Sequence, residues 1–280
     1  MTTPTRTLGP IGVFDSGVGG LTVLKALRHR FPKERFVYLG DTARVPYGNK
    51  SPETVARYSL NIASHLIDEG CQAIIIACNT ASAYARTNVR ETFALPVIDV
   101  ISPMADLVVQ SGARDVLVLG TRGTVASQAY PDAIAARDPS IRVAQQACPL
   151  FVPLAEEGWT DGDVPTLIVE RYLHEAFQRG IPDTIVLGCT HYPLLRAIIE
   201  RVAETLSGRS DIQVLDSGQP TADALAQILG IQAPNSDSSA IATPIRYLVS
   251  DGPDAFRPLA ERFLGESIAH AEHVDIRTQY

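Results

Sequence analysis

A chain of 280 residues has the material for one large domain or two modest ones, each with a buried core. Hydrophobic residues at 45% and charged residues at 20% belong to an ordinary soluble globular protein, and no run approaches the ~18–20 apolar residues that cross a bilayer. A net charge of −7 argues against a nucleic-acid partner and leaves an anionic ligand dependent on local donors.

The first predicted strand, Ile11–Asp15, runs into the turn Gly17-Val18-Gly19-Gly20. That turn lacks the full spacing of a dinucleotide loop and the Lys-Ser/Thr of a phosphate loop. It reads as a tight strand-to-helix turn whose backbone N–H groups point at a carboxylate, with the Ser16 hydroxyl beside them. Asp15, at the strand end, is either the N-cap of the next helix or a member of a site. A second strand, Phe36–Leu39, leads to the loop Asp41–Gly48, where Tyr47 offers a phenol and Gly48 a backbone N–H. Ser51-Pro52-Glu53 has the N-cap, first-position proline and first-turn acid of a helix start. Its apolar stripe is Val55, Ile62, Ala63 and Leu66, and Gly70 closes it.

Further strands are predicted at Ala73–Cys78, Val97–Val100, Val116–Leu119, Ile141–Ala144, Thr184–Gly188, Ile212–Asp216 and Ile245–Val249. Another helix opens at Pro193, with Leu194, Ile198, Ile199 and Val202 on its stripe. Continuous runs such as Ile74-Ile75-Ile76 and Ile185-Val186-Leu187 suit parallel strands covered on both faces. Strands alternating with helices predict an α/β fold whose site loops lie at the strand carboxyl ends.

The chain also repeats itself. Ala73-Ile74-Ile75-Ile76-Ala77-Cys78-Asn79-Thr80 resembles Thr184-Ile185-Val186-Leu187-Gly188-Cys189-Thr190-His191. Ile11–Gly17 pairs more weakly with Leu117–Gly123, at a similar separation and in the same order. These matches predict two similar, mainly parallel α/β lobes related by a pseudo-two-fold axis, with the ligand between them. The expected division is residues 1–99 plus 215–280 as a discontinuous first lobe and 100–214 as the second. The strand at Ile212–Asp216 begins the return.

A cysteine ending a buried strand is, taken alone, more often a core residue. Cys78, however, meets a helix N-terminus that favours a thiolate, and Asn79 and Thr80 add donors beside it. Cys189 repeats the arrangement in the other half. Two opposed thiols suit inversion at a chiral α-carbon, where a base removes a proton from one face and an acid supplies one to the other. With a reference pKa near 8.5, cysteine serves in either role once its environment moves that value towards neutrality. His191 stands close enough in sequence to assist Cys189. Thr121 and Thr124, in the loop matching the glycine-rich turn, are candidate carboxylate donors. Cys71 and Cys148 lack such context and are assigned to the core.

Two other readings fit the same residues. Cys189 and His191 could be the nucleophile and base of a thiol hydrolase or transferase, which leaves Cys78 spare. Two lobes around a cleft also suit a non-catalytic binding protein. Other chemistry is disfavoured: the four cysteines contain no C-x-x-C pair, so a zinc knuckle is not expected. Lys25, Lys33 and Lys50 are the only lysines, and none suggests a pyridoxal phosphate Schiff base. Met1–Pro10 lacks the apolar core of a signal peptide, so a cytoplasmic location with free thiols is expected.

Gly12–Leu21, Pro46-Tyr47-Gly48, Ala77–Ser82 and Leu187–Leu194 resemble the motifs of the bacterial glutamate racemases, and the resemblance runs from about residue 10 to Phe263-Leu264-Gly265. It implies interconversion of L- and D-glutamate without metal or other cofactor, supplying D-glutamate for peptidoglycan and so for cell shape. It implies Cys78 and Cys189 as the acid/base pair, with Asp15 and His191 assisting. It implies substrate contacts from Asp15, Ser16, Tyr47, Gly48, Asn79, Thr80, Thr190 and His191. A two-lobed fold and a homodimer, with no nucleic-acid or membrane partner, complete the expectation. The residues alone argue for two-base chemistry on an acidic amino acid; glutamate rests on the resemblance.

Overall fold

The computed structural model describes residues 9–230 and 243–280; residues 1–8 and 231–242 of the expected first lobe lie outside the described residues. Strands and helices alternate throughout. The chain begins with β1 (Ile11–Asp15), α1 (Leu21–Arg30), β2 (Phe36–Gly40), α2 (Pro52–Asp68), β3 (Ala73–Ile76), α3 (Asn79–Thr92) and β4 (Val97–Asp99). It continues through α4 (Ile101–Gln110), β5 (Asp115–Gly120), α5 (Arg122–Ala126), α6 (Ala129–Ala135) and β6 (Arg142–Ala147). Then come α7 (Phe151–Glu157), α8 (Asp163–Phe177), β7 (Thr184–Gly188), α9 (Arg196–Ser207) and β8 (Gln213–Asp216). α10 (Gly218–Leu229), β9 (Arg246–Val249), α11 (Pro253–Leu264) and β10 (Glu272–His273) complete it.

The strands form two sheets, ordered β10-β9-β2-β1-β3-β4 and β6-β5-β7-β8, and every pairing is parallel. Counted from the first strand of each half, β2-β1-β3-β4 and β6-β5-β7-β8 have the same order. The repeat seen in sequence is thus a repeat of topology. In each half the first and third strands lie side by side, with connections leaving to opposite sides. Their carboxyl ends therefore form the crevice where α/β sheets bind ligands.

Both faces of each sheet are covered, which explains the uninterrupted apolar runs. Ile11 and Val13 of β1 enter one core cluster and Phe14 enters the other. Leu117 and Leu119 of β5 likewise face one cluster while Val116 and Val118 face the other. α2 begins as read: Ser51 Oγ accepts from Thr54 N–H at 3.3 Å with Pro52 at the first position, and Val55, Ile62, Ala63 and Leu66 are fully buried. Gly70 follows in the left-handed conformation, with φ of +80°.

Beyond strand bounds, of which β6 runs on to Ala147 past the expected Ala144, these details differ from the sequence reading. β3 stops at Ile76, because Cys78 has turned out of the strand to cap α3. The helix expected from Pro193 is a single 3-10 turn, Tyr192–Leu195, before α9; Leu194 packs against the first lobe's core rather than on the α9 stripe. β10, two exposed residues at a sheet edge, has no apolar pattern to betray it. The strand expected to begin the return to the first lobe is β8, which pairs with β7 in the second sheet.

Candidate active site

Between the two sheets lies a cavity of about 350 Å³, at the small-ligand end of binding-site volumes. Ser16 and Gly17 reach it from the end of β1, Cys78, Asn79 and Thr80 from the end of β3, and Tyr47 and Gly48 from the loop after β2. The second lobe supplies Thr121 and Arg122 after β5, and Cys189, Thr190 and His191 after β7. Both cysteines of the repeat therefore border one space from opposite lobes. Asp15 and Thr124 do not line it; both are fully buried behind its wall.

Cys78 is the N-cap of α3. Its sulfur accepts from Ala81 N–H at 3.4 Å, and its thiol donates to Ser16 Oγ at 3.7 Å. Sequence reasoning expected this helix terminus to move the thiol towards neutrality. Burial, reinforced by the Asp15 charge, instead pushes it up to about 12 against those hydrogen bonds. Cys78 rests as a neutral thiol.

Asp15 explains the glycine-rich turn. Its Oδ1 accepts from Gly17 N–H at 2.9 Å, and the backbone of Ser16 and Gly20 also holds its charge. The carboxylate addressed by this turn is the protein's own. Burial still raises Asp15 above the usual carboxylate range, although His191 and those N–H groups oppose it. Across the lobes, Thr190 Oγ1 donates to Asp15 Oδ2 at 3.5 Å, and Thr22 Oγ1 to the Thr190 carbonyl at 2.9 Å.

His191 carries two contacts. Nδ1 lies 3.9 Å from Cys189 Sγ, and Nε2 lies 3.0 Å from Glu156 Oε1 on α7. Burial alone would lower its pKa, but the hydrogen bonds to Cys189 and Glu156 and the Asp15 charge together raise it to about 10. The ring is therefore protonated at neutral pH, and Nδ1–H is directed at the Cys189 sulfur, a bond that strengthens when that sulfur is anionic.

The hydroxyl groups meet across the cleft. Thr80 Oγ1 lies 3.0 Å from Thr121 Oγ1 and 3.3 Å from Thr124 Oγ1, and the latter two are 3.1 Å apart. Thr80 and Thr121 present this trio to the cavity. Asn79 donates from Nδ2 to the buried Tyr130 hydroxyl at 2.8 Å, while its Oδ1 is buried without a partner. Tyr47 departs from its expected role: its hydroxyl donates to Asp41, so the loop meets the cavity without offering the phenol as a donor.

Sequence reasoning missed Glu156, Val45, Pro149, Val152 and Pro153, which also line the cavity. Glu156 sits in an unremarkable amphipathic helix, so only the fold reveals it. Arg122 also lines the cavity, beside Thr121 in the loop after β5. Among the described residues no set of three or more His, Cys, Asp or Glu side chains is gathered as a metal site.

The chain is similar to known proteins over nearly its whole length. Residues 20–225 match the model of the family described as Asp/Glu/Hydantoin racemase. The chain is 46% identical over 275 residues to the glutamate racemase of Geobacter metallireducens, covering 96% of this chain and 97% of that one. Glutamate racemase from Francisella tularensis, solved with D-glutamate, superposes with a TM-score of 0.84 at 37% identity, over 95% of this chain and 97% of the other. The Escherichia coli glutamate racemase, solved with L-glutamate and the activator UDP-MurNAc-ala, gives 0.76 at 29% identity, over 96% and 99%.

Proposed function

We propose, on the premise that this chain belongs to the Asp/Glu/hydantoin racemase family, that it interconverts L- and D-glutamate by proton transfer at the α-carbon between Cys78 and Cys189. That the chain is a racemase, an isomerase acting on a small molecule, stands on its near-full-length relatives. The two-cysteine step is our reading, and one observation carries it. The two cysteines follow equivalent strands, β3 and β7, of two like-ordered sheets and border the same cavity.

In one direction a cysteine thiolate removes the α-proton from one face and becomes a thiol. The electron pair delocalises into the α-carboxylate, where the Thr80 and Thr121 hydroxyls offer hydrogen bonds. The opposite thiol then protonates the other face and becomes the thiolate. The reverse reaction exchanges the roles. Cys78, held near 12, is a poor acid but a strong base once ionised, as removal of a weakly acidic C–H requires. Asp15 and His191 act through their neighbours: Asp15 organises the turn beneath Ser16, and His191 aims a charged N–H at Cys189.

Purified protein incubated with L-glutamate in D2O, without added cofactor, should lose optical rotation and gain deuterium at the α-carbon. No exchange with rotation preserved would sink the racemase reading. Cys78→Ser and Cys189→Ser should each lower kcat about 10²–10⁴-fold. A fully active Cys78→Ser would favour a hydrolase built on Cys189 and His191 instead.

The product suits peptidoglycan synthesis in the cytoplasm, and no helix among the described residues is long and apolar enough to cross a membrane. We retain the two-lobe division, with the second crossing moved beyond β8, and the homodimer as parts of this proposal. Light scattering tests the latter.

A further inference from the structure

Glutamate carries two carboxylates and one ammonium, so it approaches as an anion a chain whose net charge is −7. Most charge around the cavity is already committed. The protonated His191 faces Glu156, Cys189 and Asp15. Arg122 differs. It is the sole arginine or lysine lining the cavity among the described residues, and its side chain is exposed. Its guanidinium makes no ion pair or hydrogen bond among the described residues, and the titratable side chain that feels its charge is Tyr172. Other arginines are anchored to acids: Arg44 to Asp41, Arg90 to Asp99, Arg137 to Asp106 and Arg142 to Asp115. Arg122 also adjoins Thr121, the second-lobe member of the hydroxyl trio that faces the cavity.

We propose that Arg122 is the capture residue of this site, drawing the dicarboxylate substrate into the cleft by charge and passing a carboxylate to the Thr80–Thr121 hydroxyls. An unpaired guanidinium presents a fork that matches a carboxylate, and its free donors need break no existing bond to engage one. Charge at the mouth of a low-dielectric cleft raises the local concentration of a counter-charged ligand, with effects on association of about 10–10³-fold. Arg122 then governs substrate entry and affinity, while the proton transfers remain with the cysteines. This inference rests on the glutamate reading above.

The test is steady-state racemisation by wild type, Arg122→Gln and Arg122→Lys from about 0.01 M to about 1 M salt, over which the screening length falls from ~30 Å to ~3 Å. At low salt, Arg122→Gln should lose about 10-fold in kcat/KM through KM, with kcat unchanged. Arg122→Lys, which keeps the charge, should retain most of the wild-type value. The three proteins should converge at high salt. Equal kcat/KM for wild type and Arg122→Gln at low salt would overturn the inference, as would a loss in kcat that salt does not alter. A wild type inactive on glutamate would instead overturn the substrate reading itself.

Discussion

A β-carbon added to Gly19 would lie 2.3 Å from Thr190 Oγ1 and 2.4 Å from His191 Nδ1, far inside contact distance. Gly48 is pressed in the same way against Thr121, 2.9 Å from its Cβ. Both glycines let first-lobe backbone meet second-lobe site residues, which an added methyl would push aside. Gly19→Ala should therefore cost about 1–3 kcal/mol of stability and displace the His191 ring, lowering kcat; thermal melting and initial rates check the two effects. The His191 proton gives a second prediction. Its folded pKa, about 10, lies above the ordinary 6.5, so the stabilisation is full below about 6.5 and is lost as pH rises through about 10. The melting-temperature advantage of wild type over His191→Gln should shrink across that window, and an advantage constant from pH 6 to 10 would refute the assignment. Cys78, Cys189 and the residues beside them were legible in sequence because the repeat presents them twice. Glu156 was not, since its partner His191 is distant in the chain. The destination of the Tyr47 hydroxyl was hidden for a related reason: Asp41 is near in sequence, but only the folded loop turns the phenol towards it.

Local signals of the elements were strong where a single segment supplies them. The Ser51 cap, the Pro52 start and the buried stripe of α2 need no distant partner to be recognised, and the long apolar strands announce burial on both faces. Ser51→Ala removes one acceptor at an exposed helix end, at a cost of about 1 kcal/mol. The melting temperature should fall by about 2–4 °C with kcat unchanged, since no residue of α2 lines the cavity and Ser51 lies at its exposed end. Element ends were less legible. Whether Cys78 finishes a strand or caps a helix depends on where the Ala81 N–H points, and that is settled by the packing of α3. β10 exists because β9 offers it an edge, not because Glu272 and His273 favour extended structure.

At the scale of the molecule, duplication was readable because the strand order is copied along with the sequence. The point of return was not readable, because an apolar strand fits either sheet and β8 is assigned only by its pairing with β7. The site lies where the lobes meet, bridged by Thr80 with Thr121 and by Asn79 with Tyr130, so a ligand touching both walls should stabilise the whole. D-glutamate at about 100 times its Kd should add about 2.7 kcal/mol and raise the melting temperature accordingly. It should also slow amide exchange at the Ser16–Gly20 and Cys189–His191 loops together; protection of one loop alone would argue for binding to a single lobe. The discontinuous first sheet has a consequence for biosynthesis. A ribosome releases all of β5 to β8 before it makes β9, so the second sheet is complete while β2 still waits for its neighbour. A nascent chain halted short of residue 246 already holds both cysteines, yet it exposes the β2 edge and lacks the α11 covering. The first sheet can therefore close only once β9 and α11 are made, and with α11 comes Phe263, which packs edge-on against the His191 ring.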